Sequence, residues 1–158
     1  MTATPHPVRS ELVRVPPRGL AARAAIRQAA VDRPPGWTLS RTDEEPPAVA
    51  YLHVATAARW AWGLPRTTAE ALAECAAVLT DNAFRHSLSP HATVTMAAAD
   101  GRATVAVTDD GPARTFPPPS GYGHGLRYVE AHADEWGHHT TASGGTRVYA
   151  SINLPRRA

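Results

Sequence analysis

The chain has 158 residues, a net charge of +2 and one cysteine. This length suits one domain with a hydrophobic core, and a lone cysteine cannot form an intrachain disulfide. The N-terminal sequence MTATPHPVRS lacks the apolar centre of a signal peptide, and the chain contains no long uncharged apolar run. We therefore expect a cytoplasmic protein with no membrane partner.

The basic residues are all arginine, so the lysine of a P-loop or a protein kinase fold is missing. Residues 1–35 contain six arginines and two acidic residues, a net charge of +4, and the other 123 residues carry −2. Neither base-stacking aromatic residues nor a known binding motif accompany this charge. We expect no direct nucleic-acid partner.

Consecutive prolines in VDRPPG, residues 31–36, indicate a linker. They separate a basic extension, residues 1–35, from a domain over residues 36–156. In the extension, the Ala-rich residues 20–31 are compatible with a short helix that carries Arg23 and Arg27 on one side.

The domain begins with a predicted strand, GWTLSRTD, and continues with a helix from EEPP to Gly63. Helical spacing in that segment is shown by Val49, Leu52 and Ala55. The segment TTAEALAECAAVLTDNAFRHS then predicts a long helix with a Thr-x-x-Glu start, which is typical of a capping box. Its apolar stripe consists of Leu72, Ala76, Leu79 and Ala83.

Two alternating segments, ATVTMAAA and RATVAVTD, are joined by Asp100-Gly101, a strong hairpin signal. GLRYVEAHADEW predicts a further helix, and HHTTAS and TRVYASINL predict strands around Gly144-Gly145. The pattern indicates an α+β protein, a two-layer α/β sandwich in which a mixed, mostly antiparallel sheet has helices on one face.

Polar residues and glycines recur at three places along this pattern. Asn82 and His86 lie one turn apart on the long helix, where an unsatisfied polar group is costly. VTDDG ends a strand with Asp109 and Gly111, and GYGHGL opens a helix with a glycine-rich turn, which favours phosphate. Each signal is weak alone, but their order is specific.

This order resembles the Bergerat-fold ATPases, the superfamily of DNA gyrase and the histidine kinases. The chain is most similar to the small bacterial anti-sigma-factor serine kinases. The first family box is matched by WGLPRTTAEALAECAAVLTDNAFRHS, the second by VTDDGPA, the third by GYGHGLRYVEAHADEWG and the closing strand by GGTRVYASI. Ala113 replaces the second glycine of the second box.

The resemblance implies a site for ATP or ADP with Mg²⁺. It implies that Asn82 offers its amide oxygen to Mg²⁺ and that Asp109 accepts a hydrogen bond from the adenine amino group. Gly111 lets the backbone pass close to the base, and Thr146 steadies Asp109 through a water. The resemblance assigns the lid hinge and the phosphate-binding turn to Gly121, Gly123 and Gly125. It places Leu126 and His86 in the remaining wall of the nucleotide pocket.

One position departs from the family. Val78, one turn before Asn82, occupies the place of the glutamate that serves as general base in the kinases, and valine cannot transfer a proton. The resemblance thus implies a nucleotide-binding regulator that holds a sigma factor or a STAS-type anti-anti-sigma protein, with phosphotransfer weak or lost. The alternative is an active serine/threonine kinase of such a partner with another base.

Two residues, His86 and Cys75, also have interpretations that involve no ligand. His86 also fits a helix C-terminus, where the dipole favours a positive charge, and Cys75 is expected in the core rather than as a reactive thiol. A homodimer is compatible with the sequence. The detached catalytic domain of a histidine kinase is disfavoured, because a proline-broken extension cannot form a long coiled coil.

Overall fold

The computed structural model describes residues 35–112 and 124–154. The elements follow in the order β1 (Gly36–Ser40), α1 (Pro46–Thr56) with a π-helical turn (Ala57–Ala61), α2 (Arg66–His86), β2 (His91–Ala99), β3 (Arg102–Asp109), α3 (His124–His132), β4 (Glu135–Thr140) and β5 (Thr146–Asn153). Among these residues, no helix is both long enough and apolar enough to cross a membrane.

The five strands form one sheet in the order β1-β2-β3-β5-β4. All four pairings between the described strands are antiparallel, so this sheet is antiparallel throughout rather than mixed. The predicted α+β class is confirmed, and the arrangement is compatible with a two-layer sandwich.

Alternating residues of the sheet build the core. Trp37, Val94, Val107 and Val148 are paired in one row across four strands, and all four are buried. Because side chains alternate between the two faces of a strand, the row directs its apolar groups to the same side. Burial of each such side chain contributes about 1.5–3 kcal/mol.

Helix α2 packs on the sheet through the predicted stripe. Leu72, Ala76, Leu79 and Ala83 are all buried, as expected. The predicted capping box is wrong: the helix begins at Arg66, follows Pro65 and has no capping hydrogen bond from a side chain.

Helix α1 exposes Leu52, one of the three residues whose spacing predicted it, while Val49 and Ala55 pack against the core. Its inward residues are Ala50 and Val54, whereas Leu52 is 62% exposed. None of its eleven residues is charged, so spacing alone could not distinguish the inner face from the outer one.

The hairpin at Asp100-Gly101 is confirmed, with φ values of 54° and 71°, the positive values that a type I′ turn requires. Helix α3 is shorter than predicted and ends at His132. Trp136, expected in that helix, lies in β4 and pairs with Ala150 of β5. Sheet pairing has overridden the local helical pattern here.

The antiparallel pairings bring several chain segments to one edge of the sheet. Ser40 of β1 pairs with His91 of β2, and Ala92 pairs with Asp109, the last residue of β3. Thr146 opens β5 next to Asp109, and α2 ends just before β2. We call this edge, where β1 and β3 end and β2 and β5 begin, the Asp109 edge.

Candidate functional site

Asp109 is a carboxylate fixed inside the protein. It is only 1% exposed and is paired opposite the buried Ala92, on the side of the sheet that faces the helices. Its Oδ1 accepts hydrogen bonds from the backbone N–H groups of Gly111, at 2.9 Å, and Thr146, at 3.3 Å. The two amides fix the orientation of the carboxylate and leave it as a positioned acceptor.

Close contact between two loop backbones supports this carboxylate. A Cβ on Gly111, whose φ is 91°, would lie 2.5 Å from the carbonyl oxygen of Gly144. A Cβ on Gly145 would lie 2.0 Å from the carbonyl oxygen of Asp109. Both glycines are therefore required by the contact. The sequence predicted a special role for Gly111 and only a turn at Gly144-Gly145.

Asn82 brings a second polar group to the interior. The residue is 6% exposed and lies in the last two turns of α2. Its Nδ2 is buried and has no hydrogen-bond partner among the described residues. An unsatisfied buried donor of this kind costs about 1–3 kcal/mol. Turning the amide by 180° exchanges the positions of its N and O, so the side chain can equally present its oxygen there.

Thr146 is the third buried polar residue at this edge, with 3% exposure. Its backbone N–H reaches Asp109 directly, whereas the resemblance implied a contact through water. The Thr146 hydroxyl is buried and, within the described ranges, has no hydrogen-bond partner. The Asp109 edge therefore contains the fixed carboxylate of Asp109. It also contains two buried groups without a partner among the described residues, the Nδ2 of Asn82 and the hydroxyl of Thr146.

Arg41 anchors the end of α2 that carries Asn82. Its guanidinium donates to the carbonyl oxygens of Phe84 and Ser87, both at 2.7 Å, and of Ser89, at 3.1 and 3.2 Å. It also lies over the Phe84 ring, 5.1 Å from the centroid. The last carbonyls of a helix have no partner within it, and this arginine satisfies one of them, that of Phe84, together with two carbonyls just after the helix. The contacts span 43 to 48 residues, and no local signal predicted them.

Ser89 connects the same region to β3. Its hydroxyl accepts a hydrogen bond from the backbone N–H of Asp110 at 3.1 Å and donates to the carbonyl oxygen of His91 at 2.6 Å. The loop after α2 is thereby attached to the residue that follows Asp109. These hydrogen bonds hold the two halves of the candidate site in a fixed relation.

Val78 contacts the first turn of α3. The side chain is half-buried, and its Cγ1 lies 3.0 Å from the position that a Cβ on Gly125 would occupy. The absence of a side chain at Gly125 therefore lets α3 approach α2 at Val78, the position where the resemblance led us to expect a general base. The structure brings Gly125 to Val78, one turn from Asn82.

Two further predicted residues that the structure describes, His86 and Leu126, are not in this buried group. His86 is exposed at the end of α2, which agrees with its interpretation as a residue at a helix C-terminus. Leu126 is buried in the hydrophobic core. Gly121 and Gly123 lie outside the described residues, as does most of the predicted lid.

The described residues contain no cluster of three or more His, Cys, Asp or Glu that could hold a metal ion. A cation at the Asp109 edge would need ligands from a bound molecule as well as from the protein. Mg²⁺ suits such a site, because it keeps several waters and is commonly held by one or two protein oxygens together with phosphates. Asn82 is the residue whose amide fits this role.

A concavity of about 560 Å³ lies over β2, β3, β4 and β5, away from the Asp109 edge. Two of its lining residues, Arg102 and Glu135, form an ion pair, and two others, Thr104 and Ser151, share a 2.7 Å hydrogen bond between their hydroxyls. These groups satisfy one another near the surface. The Asp109 edge, with its buried and unsatisfied groups, is the better candidate.

In comparisons with known proteins, no family model matches the chain, and no curated protein matches it. Assignment to a family therefore stays a prediction from the sequence motifs.

Proposed function

We propose that the protein is an adenine-nucleotide-binding regulator of the anti-sigma-factor kinase type, built on a Bergerat fold, with phosphotransfer weak or lost. One observation carries this proposal: beside the fixed carboxylate of Asp109, the buried Nδ2 of Asn82 and the buried hydroxyl of Thr146 have no hydrogen-bond partner among the described residues. Buried polar groups are normally satisfied, so these two groups point to a ligand that satisfies them.

In this proposal Asp109 recognises the base. Its Oδ1 is held by the amides of Gly111 and Thr146, and its carboxylate accepts a hydrogen bond from the exocyclic amino group of adenine. A hydrogen bond to a charged acceptor contributes about 1.5–3 kcal/mol. Guanine has a carbonyl where adenine has the amino group, so the same carboxylate disfavours guanine nucleotides.

Asn82 orients the phosphate end. Its amide oxygen binds Mg²⁺ when the nucleotide is present, and the ion neutralises phosphate charge. The attachment of α2 to Arg41 keeps Asn82 in place relative to Asp109. Both ends of the nucleotide are then held by residues of one rigid edge.

Position 78 supports weak or absent transfer. Val78 cannot accept a proton, and a positioned general base contributes about 10²–10⁴-fold to such a reaction. Asp81, three residues after Val78 on α2, is half-exposed and forms an ion pair with Arg85 at 2.7 Å. This pairing does not favour Asp81 as a replacement. The partner that the resemblance implies is a sigma factor or a STAS-domain anti-anti-sigma protein.

Calorimetric titration of the full chain with ATP and with GTP, each with Mg²⁺, tests the binding step. We expect ATP to bind and GTP to bind at least tenfold more weakly, about 1.4 kcal/mol, because guanine presents a carbonyl oxygen at C6, where adenine has the amino group that donates to Asp109. Absence of ATP binding, or equal affinity for the two nucleotides, would contradict the proposal.

Phosphate transfer to a STAS-domain protein tests the role of Val78. The wild type should stay near background, Val78→Glu should be faster, and Val78→Gln, which has the same length without the base, should not. Because Gly125 lies against Val78, the longer side chain must turn past α3. Wild-type transfer at about 1–100 s⁻¹, an ordinary kinase rate, would favour the alternative of an active serine/threonine kinase.

A further inference from the structure

Helix α1 has an outer surface that is unusual for a surface helix. None of its residues is charged, and Ala48 and Leu52 are exposed on its outer side. Tyr51, beside Leu52, is half-buried. A helix that is apolar all round is normally covered on all sides. Some further segment is therefore expected on this face.

The first described residues, at the start of β1, lie close to α1. Met96 donates its backbone N–H to the carbonyl oxygen of Pro35, which fixes the start of β1 on the sheet. Trp37, two residues later, stacks on His53 of α1, with ring centroids 5.1 Å apart and planes 13° apart. His53 is next to Leu52 in the sequence. Pro35, the first described residue, therefore lies near the part of α1 that carries His53 and Leu52.

Opposite net charges also favour a contact between residues 1–34 and the described domain. The described residues contain seven arginines and twelve acidic residues, a net charge of −5, whereas residues 1–34 contain six arginines and two acidic residues, a net charge of +4. Asp43, Glu44 and Glu45 are exposed immediately before α1. An Arg-rich segment on α1 would lie beside these three carboxylates.

We propose that residues 20–31 of this same chain pack as a helix along the outer face of α1. A twelve-residue helix is about 18 Å long, close to the roughly 16 Å of α1. Residues 32–34 span at most about 10 Å, which is enough to turn from Pro35 onto that face. The helix then covers Leu52 with its apolar side, and Arg23, in its first turn, lies near the acidic residues before α1.

Cross-linking of the full chain tests this contact. In a Cys75→Ala background, which removes the buried free thiol, Ile26→Cys and Leu52→Cys are joined by a short bis-maleimide. We expect an intramolecular product that runs at monomer mass and whose yield does not change on dilution. The matched control pairs Ile26→Cys with Leu88→Cys, an exposed residue after α2, and should give at least fivefold less product.

Each of the remaining outcomes overturns the proposal. A product of dimer mass would show that a second copy covers α1. Equal yields for Leu52→Cys and Leu88→Cys, or no product, would show that residues 20–31 do not dock there. Adding Arg23→Glu to the Leu52 pair should lower the yield, and an unchanged yield would contradict the contribution of charge. The nucleotide site takes no part in this test.

Discussion

Asn82 and Asp109 are both buried, but the protein holds them differently. Two backbone amides fix Asp109, while the Nδ2 of Asn82 has no hydrogen-bond partner in the part of the chain that the structure describes. The sequence predicted both residues because they lie in short motifs. It did not predict Arg41, whose carbonyl partners are more than 40 residues away, since only the folded chain brings them together.

At the same scale, the burial of His53 predicts that the free energy of unfolding depends on pH. Burial lowers the pKa of His53 below its usual 6.5, and its Nδ1 is buried without a hydrogen-bond partner among the described residues. The unfolded chain takes up the proton below about 6.5 and the folded chain resists it, so stability present above that pH is lost as the pH falls toward the folded pKa.

Urea unfolding at about pH 7.5 and about pH 5.5 measures this effect, since histidine titrates in that range. His53→Phe, which keeps an aromatic ring against Trp37, should reduce the loss of unfolding free energy between the two conditions. His139→Phe, at an exposed position of β4, is the control and should leave it unchanged. Equal losses in wild type and His53→Phe would contradict the assignment.

At the scale of elements, the sequence correctly predicted the features that depend on residues close together in the chain. The hairpin at Asp100-Gly101, the stripe of α2 and the strands around Gly144-Gly145 all formed. The errors arose where tertiary contacts decide, at the inward face of the uncharged α1 and at Trp136, which joins β4. The contact between the Gly111 and Gly145 loops belongs to this second kind, because neither turn alone implies the other.

Alanine at the two adjacent glycines tests that contact. At Gly144, φ is 88° and a Cβ meets no atom within 4 Å, so Gly144→Ala should cost only backbone strain, about 1–2 kcal/mol of unfolding free energy. Gly145→Ala should cost more, because its Cβ would lie 2.0 Å from the Asp109 carbonyl oxygen and one backbone must move. Chemical denaturation of both variants gives the comparison, and a smaller loss for Gly145→Ala would contradict it.

At the scale of the whole molecule, antiparallel pairing explains why the site lies where it does. The strand order brings the end of β3 and the starts of β2 and β5 to one edge. Helix α2 also ends there, because only a short loop separates it from β2. The sequence predicted the α+β class, and the resemblance implied one site that includes Asn82 and Asp109. The strand pairings that bring these residues to one edge could not be predicted, because they join distant parts of the chain. The chemistry of the edge therefore carries the functional proposal.

The central claim is that the Asp109 edge binds an adenine nucleotide, and paired variants measured by ATP calorimetry test it most directly. Asp109→Asn keeps an oxygen for the amides of Gly111 and Thr146 but loses the charged acceptor, so ATP affinity should fall by about 1–3 kcal/mol, about 5- to 150-fold. Asp110→Asn, at the exposed neighbouring position, should bind ATP like the wild type. Unchanged affinity in a folded Asp109→Asn protein would contradict the claim.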